Sequence, residues 1–257
     1  MRLKKDSSKQ KLRGAYYTPQ KLANAMVRLF ASENIDAVLE PSCGDGVFLD
    51  ALKEAGLLDK VSRVEAVEIE TPEAQKVSGR YKDTPKVKVI NRDFFDFYKE
   101  TLGKKTYDLI LGNPPYIRYQ YLKESQRECQ AQILTSHGMK SNKLINAWVA
   151  FMVASVQMLS KRGKIAFVIP AEILQVAYAE DLRLYLANHL AKITLITFEQ
   201  LVFPDIEQEV VVFIGEKGDA EKGDAEKGIR IIEMNDLRGF DALDLASNGF
   251  QPVQHVK

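Results

Sequence analysis

Apolar residues in this chain gather in short runs separated by longer amphipathic or polar stretches. The runs are Ala37–Pro41 (AVLEP), Val64–Ile69 (VEAVEI), Val87–Asn91 (VKVIN), Tyr107–Asn113 (YDLILGN), Lys164–Pro170 (KIAFVIP), Lys192–Phe198 (KITLITF) and Glu209–Gly215 (EVVVFIG). They are rich in β-branched residues and most are apolar nearly throughout. That pattern predicts strands covered on both faces, because a strand with one wet face alternates polar and apolar positions. Between them, Pro19–Ala31, Val47–Ala55, Pro72–Tyr81, Leu144–Leu159 and Ala179–Leu190 have the spacing of helices. Thr18 stands where the first of these needs a cap, Pro19 suits its first turn, and Gly56 ends the second. Strands alternating with helices predict a doubly wound α/β sheet. In such a sheet ligands bind beyond the carboxyl ends of the strands, so the residues just after each strand carry the functional information.

Two stretches fall outside the alternation. Arg118–Lys143 is polar, charged and weakly patterned, and is expected to be a linker. Gly215–Gly228 reads GEKGDAEKGDAEKG, a tandem repeat whose glycines and mixed charges suit a solvated, flexible loop. Ile229–Met234 (IRIIEM) is expected to add one more strand, and the tail from Asn235 has no clear pattern. The segment Leu144–Leu159 is the longest apolar one, but Asn146, Ser155 and Gln157 interrupt it. It is shorter than the roughly 20 residues of a membrane span, so a buried helix is expected and no membrane partner.

With 257 residues and a formal charge of +1, the chain is long enough for a sizeable core, and its overall charge names no partner. The charge is uneven, however. Met1–Phe30 carries eight Lys and Arg against the single acid Asp6. A basic arm over residues 1–13 is either a solvated terminus or a contact with a polyanion. The two cysteines, Cys43 and Cys129, build no disulfide framework and fit a reducing cytoplasm. The three histidines lie far apart in sequence without ligand spacing, so no metal site is expected.

After the first strand comes VLEPSCGDGVFL. Gly44 and Gly46, following Ser42 and Cys43, let the backbone turn tightly and approach a ligand. Leu49 occupies the place where a dinucleotide-binding turn would have its third glycine. The carboxylate at the strand end, Glu40, points instead to a ligand with a cationic group. The second strand ends in VEAVEIE, where Glu68, with Glu70 as the alternative, is spaced to bind a ribose diol. The third ends in NRDFF, where Asp93 offers an acceptor and Phe94 a ring, as an adenine requires. The fourth ends in DLILGNPPY. Pro114 and Pro115 stop the sheet and stiffen the turn. The Asn113 side-chain oxygen and the Pro114 carbonyl can then aim at one amino group, whose electron pair is otherwise delocalised. Two acceptors in tetrahedral array favour an sp³-like nitrogen, which is preorganised electrostatic stabilisation. Tyr116 supplies a flat face for whatever carries that nitrogen.

Taken in order, GAYYTP (Gly14–Pro19), VLEPSCGDGVFL, AVEIE, NRDFFDF, LILGNPPY and FPDIEQEVVVF resemble the motifs of the N6-adenine DNA methyltransferases of the gamma arrangement, the TaqI-like and Eco57I-like restriction–modification enzymes. The resemblance covers residues 14–215. It implies a Rossmann-like S-adenosylmethionine-dependent fold, a mostly parallel seven-stranded sheet with an antiparallel strand near the C-terminal edge. It implies S-adenosylmethionine as methyl donor, with Thr18 and Glu40 on its methionine part, Cys43, Gly44 and Gly46 in the turn beside it, Glu68 on the ribose, and Asp93 and Phe94 on the adenine. Asn113, Pro114, Pro115 and Tyr116 match the catalytic motif, and Phe203 matches the ring that sandwiches the flipped target adenine against Tyr116. The implied partners are double-stranded DNA, a restriction endonuclease and a target-recognition region. About forty residues follow the last motif. Residues 229–257 are therefore expected to hold a final strand and the start of such a region, and the chain to be a fragment of a longer enzyme.

Three other readings use the same residues. Protein glutamine methyltransferases solve the same nitrogen problem with NPPY, but their glycine turn usually follows an Asp, whereas EPSCGDG follows a Glu here. Ribosomal RNA methylation is the second, and a donor-binding or DNA-binding subunit without catalysis the third.

Overall fold

The computed structural model describes residues 17–175, 179–199, 209–218, 228–245 and 249–251. Eight strands form one sheet in the order β3-β2-β1-β4-β5-β7-β6-β8. They are β1 (Ala37–Glu40), β2 (Arg63–Glu68), β3 (Val87–Asn91), β4 (Tyr107–Gly112), β5 (Leu159–Pro170), β6 (Lys192–Phe198), β7 (Val210–Glu216) and β8 (Gly228–Met234). The sheet thus has one strand beyond the expected seven, and the extra one is the IRIIEM segment, parallel to β6. The antiparallel strand is β7, which lies between β5 and β6 and pairs with both. Along β1, β2 and β4 nearly every residue is buried, as the continuous apolar runs require.

Helices cover both faces. On one side lie α1 (Gln20–Arg28), α2 (Val47–Glu54), the single turn α3 (Leu57–Lys60) and α4 (Thr71–Arg80). On the other lie α5 (Phe94–Thr101), α6 (Glu124–Thr135), α7 (Ala147–Met158) and α8 (Glu180–His189). The sheet separates two apolar cores. Every residue of α7 except Gln157 is buried, and Trp148 is wholly so. This makes α7 the spine of its layer; each large side chain there contributes roughly 1.5–3 kcal/mol by leaving water. Among the described residues no helix is long and apolar enough to cross a membrane.

Besides the single turn α3, two helices lie where none was expected. The NRDFF segment is a helix start: the Asp93 carboxylate accepts the Phe95 N–H at 2.8 Å and so caps α5. Within the expected linker, α6 buries Cys129, Gln130, Ile133 and Leu134. Residues after β8 belong to the same body, since Phe240 is buried with its ring 6.1 Å from that of Phe198. The basic arm, most of the EKGDA repeat and Phe203 lie outside the described residues.

β1 neighbours β2 on one side and β4 on the other, and the chain winds away from it in both directions. The carboxyl ends of β1 and β4 therefore flank the crevice where a doubly wound sheet takes its ligand.

Candidate active site

The β1–α2 turn begins at that crevice. Gly44 and Gly46 have φ of 53° and 83°, backbone conformations in which a side chain is strained. A Cβ on Gly46 would also come within 3.0 and 3.1 Å of the Val77 methyl groups. The turn is held to β2 by the Cys43 N–H, which donates to the Val67 carbonyl at 2.8 Å. Glu68 completes the tie: its carboxylate accepts the Gly44 N–H at 2.8 Å and the Glu70 N–H at 2.7 Å. Both oxygens of Glu68 thus organise backbone, and any ribose contact uses their remaining lone pairs.

A cavity of about 40 Å³ lies against this turn, lined by Thr18, Glu40, Cys43, Gly44, Asp45 and Asn113 with Tyr17, Ser42, Val47 and Phe48. It has room for a small head group; a larger ligand would extend along the strand ends. A hollow of about 560 Å³ lies away from these carboxylates, beside the end of β8, and is lined by residues 232–236 with Arg238, Gly239, Ala242 and Leu243. None of the strand-end residues singled out above reaches it.

Glu40 dominates the electrostatics of the small cavity. It is 1% exposed, and its Oε2 has no hydrogen-bond partner among the described residues. Burial, reinforced by Asp45, Glu68 and Asp50, raises its pKa well above the ordinary carboxylate range. Asp45 and Glu68 are also pushed up, in both cases chiefly by burial. Burial and then Glu40 raise the Cys43 thiol, which is therefore no nucleophile. Carboxylates so close together favour a cation placed among them.

At the end of β4, Gly112 has φ of 154° and turns the chain into Asn113–Tyr116. The Asn113 amide nitrogen donates to the Thr18 hydroxyl at 3.2 Å, and the Ser42 hydroxyl donates to the Asn113 carbonyl at 3.2 Å. The first contact joins YTP to NPPY across ninety-five positions. Pro114 is buried and Pro115 half-buried. Tyr116 is 7% exposed, and its hydroxyl donates to the Val168 carbonyl on β5 at 3.1 Å.

The structure brings Thr18, Glu40, Cys43, Gly44 and Asn113 to one cavity, with Gly46 and Glu68 supporting the turn. Asp93 caps α5, and its second oxygen accepts the Gln126 side-chain amide at 2.5 Å. The Phe94 ring is turned into the core, 3% exposed and stacked on Phe151 at 4.7 Å. Sequence reasoning passed over Tyr17 and Ser42, which line the cavity beside residues it did single out, and Gln126, which sits in the supposed linker. Of the basic residues after the catalytic turn, Arg118, Lys123, Lys140 and Lys143 are exposed. Arg127 instead donates to the Tyr119 and Gln120 carbonyls at 3.1 and 3.0 Å.

A family model described as Eco57I restriction-modification methylase matches residues 58–203. The type II methyltransferase M.HincII of Haemophilus influenzae is 31% identical over 214 residues, covering 83% of this chain and 39% of that protein. The chain thus spans about two fifths of the length of this curated relative. The DrdV–DNA complex superposes with a TM-score of 0.72 at 13% identity, over 97% of this chain and 31% of DrdV. A putative class I S-adenosylmethionine-dependent methyltransferase from Listeria monocytogenes superposes with a TM-score of 0.68 at 14% identity, over 89% of this chain and 69% of that one. These two likenesses establish a shared fold.

Proposed function

The chain belongs to the Eco57I restriction-modification methylase family, and from that premise we propose that it methylates the N6 amino group of an adenine turned out of double-stranded DNA, with S-adenosylmethionine as donor. One observation carries the reading: Asn113, oriented by Thr18, borders the same cavity as the buried Glu40 carboxylate.

The residues at the crevice fit the donor. Its methionine part carries an ammonium group, and Glu40 is a buried carboxylate with an unpartnered oxygen among the described residues. Glu40 and Thr18 would hold the methionine part, Glu68 the ribose, and Asp93 the adenine amino group. The turn at Gly44 and Gly46 lets backbone approach without side-chain obstruction. When bound, S-adenosylmethionine supplies an electrophilic methyl group on a sulfonium.

The chain's own residues then do three things. The carboxylate cluster draws the cationic donor into a fixed place, which turns an encounter into an oriented approach. The Asn113 oxygen and the Pro114 carbonyl accept the two hydrogens of the target amino group, so that its electron pair points at the methyl group. Tyr116, together with Phe203 by the motif resemblance, would hold the ring of a base that must leave the helix stack before its amino group can react. Exposed Arg118, Lys123, Lys140 and Lys143 provide phosphate contacts, which give affinity without sequence preference. Sequence selectivity belongs to a target-recognition region, and a restriction endonuclease is the partner in this scheme.

The substrate class is tested by incubating the protein with labelled S-adenosylmethionine and, separately, adenine-methylation-free DNA, ribosomal RNA and a translation release factor. Label in DNA is expected. Label only in RNA or in protein would overturn the reading in favour of another nitrogen acceptor.

A further inference from the structure

Gln126 lies in the first turn of α6, and its side chain makes two contacts of different kinds. Its oxygen accepts the Lys123 N–H at 3.0 Å, which caps the helix. Its nitrogen donates to Asp93 Oδ2 at 2.5 Å. The other Asp93 oxygen accepts the Phe95 N–H at 2.8 Å. The carboxylate torsion of an aspartate is soft, so its plane is set by such neighbours. Here one donor on each oxygen fixes it.

Gln126 also joins two parts of the site. The segment from Ile117 to Lys123 leaves the catalytic turn and is pinned along its length. The Ala147 N–H donates to the Ile117 carbonyl at 2.9 Å, Arg118 bridges to Asn146, and Arg127 grips the carbonyls of Tyr119 and Gln120. Gln126, which accepts the Lys123 N–H at the end of this segment, links it through Asp93 to the β3–α5 turn.

We propose that Gln126 is a positioning residue of the donor site: it holds the Asp93 carboxylate in the plane from which it receives the amino group of the donor's adenine, and ties that site to the segment following the catalytic turn. The inference rests on Asp93 receiving the donor, as proposed above. Its distinctive consequence is that the donated hydrogen matters, whereas the cap needs only the accepting oxygen.

The substitution Gln126→Glu separates the two roles. It keeps an acceptor for the Lys123 N–H but removes the hydrogen given to Asp93 and sets two carboxylates together. Binding of S-adenosylmethionine to the full-length protein is measured by calorimetry from pH 5.5 to 8.5, for wild type, Gln126→Glu and Gln126→Ala. The charged and titratable groups around the pair are Asp96 and Lys99 on α5, Lys123, Glu124, Arg127 and Cys129 on α6, and the nearby Arg92–Glu100 pair; α7 presents the apolar Phe151. These groups surround position 126 in wild type and variants alike, so the quantity read is the ratio of variant to wild-type dissociation constants at each pH.

At pH 8 the Gln126→Glu ratio is expected to be about tenfold or more, the loss of the hydrogen bond between a misplaced Asp93 carboxylate and the donor's adenine. It should fall as pH drops and the introduced carboxyl gains a proton to donate to Asp93. Thermal stability should fall at pH 8, where the two carboxylates repel, and recover as pH drops, while kcat at saturating donor should stay within a few-fold, so that the catalytic defect lies in KM. A Gln126→Glu protein that binds donor like wild type at every pH, with only Gln126→Ala impaired, would overturn the proposal and leave Gln126 a helix cap. A wild-type protein that binds no S-adenosylmethionine would overturn the donor reading itself, a separate and recognisable outcome.

Discussion

Replacing Glu40 by Gln should make the donor-free protein more stable and the donor site worse. Glu40 is 1% exposed, one of its oxygens lacks a partner among the described residues, and Asp45, Glu68 and Asp50 add repulsion to the effect of burial. An unsatisfied buried polar group costs about 1–3 kcal/mol, more when charged. Burial raises the folded-state pKa above the value of about 4.3 for an unfolded Glu. Between those two values the folded molecule keeps a proton that the unfolded one has released. The native state therefore loses stability as pH rises through that window and bears the full penalty above it. Gln carries no such proton. The melting temperature of Glu40→Gln should match wild type in acid and exceed it progressively toward pH 8. A gain of about 1–2 kcal/mol corresponds to a few degrees at roughly 2–4 °C per kcal/mol. The same change removes the partner of the donor's ammonium, so affinity for S-adenosylmethionine should drop about 10- to 100-fold. Thermal scans across pH, with and without donor, read both effects. A donor-free variant less stable than wild type at pH 8, or one that binds donor unchanged, would refute the argument that this carboxylate is held unfavourably for the sake of a cation.

Two further changes test the frame around the site. Gly46→Ala places a Cβ at φ of 83° and within 3.0 Å of a Val77 methyl; the conformation alone costs about 1–2 kcal/mol, so denaturant unfolding should show a destabilisation of at least that size. Tyr116→Phe removes the hydroxyl that donates to the Val168 carbonyl at 3.1 Å. It should cost about 0.5–1.5 kcal/mol of stability while methyl transfer persists, whereas Tyr116→Ala should lose transfer with the ring.

The frame of this fold was legible because covered strands must be apolar on both faces. All seven runs became strands, and the IRIIEM run the eighth. What escaped has physical causes. The α5 helix opens with two Phe only two residues after β3, so the ring reads as a ligand contact at a strand end, and only Asp93 as a cap betrays the change. The α6 helix buries Gln130 and Cys129 beside Ile133 and Leu134, a stripe too polar for periodicity to expose. At the site, Glu40, Gly44 and Asn113 were legible because a strand end, a tight turn and a stiff elbow each demand particular residues. That Thr18 would meet Asn113 depends on where α1 delivers the chain, which is a tertiary fact. Phe94 shows the converse: an aromatic after a strand suits a ligand or a core equally well, and here its ring packs on Phe151.

The central claim is that Asn113 acts on the acceptor nitrogen while the donor is held by other residues. Its most direct test is a paired measurement on Asn113→Ala in the full-length protein. One arm measures S-adenosylmethionine binding by calorimetry; the other measures modified nucleosides in digested DNA by mass spectrometry. The account predicts N6-methyldeoxyadenosine from wild type, none from the variant, and donor affinities within a few-fold of each other. Methylated adenine made by the variant at the wild-type rate, or donor binding lost together with transfer, would contradict it.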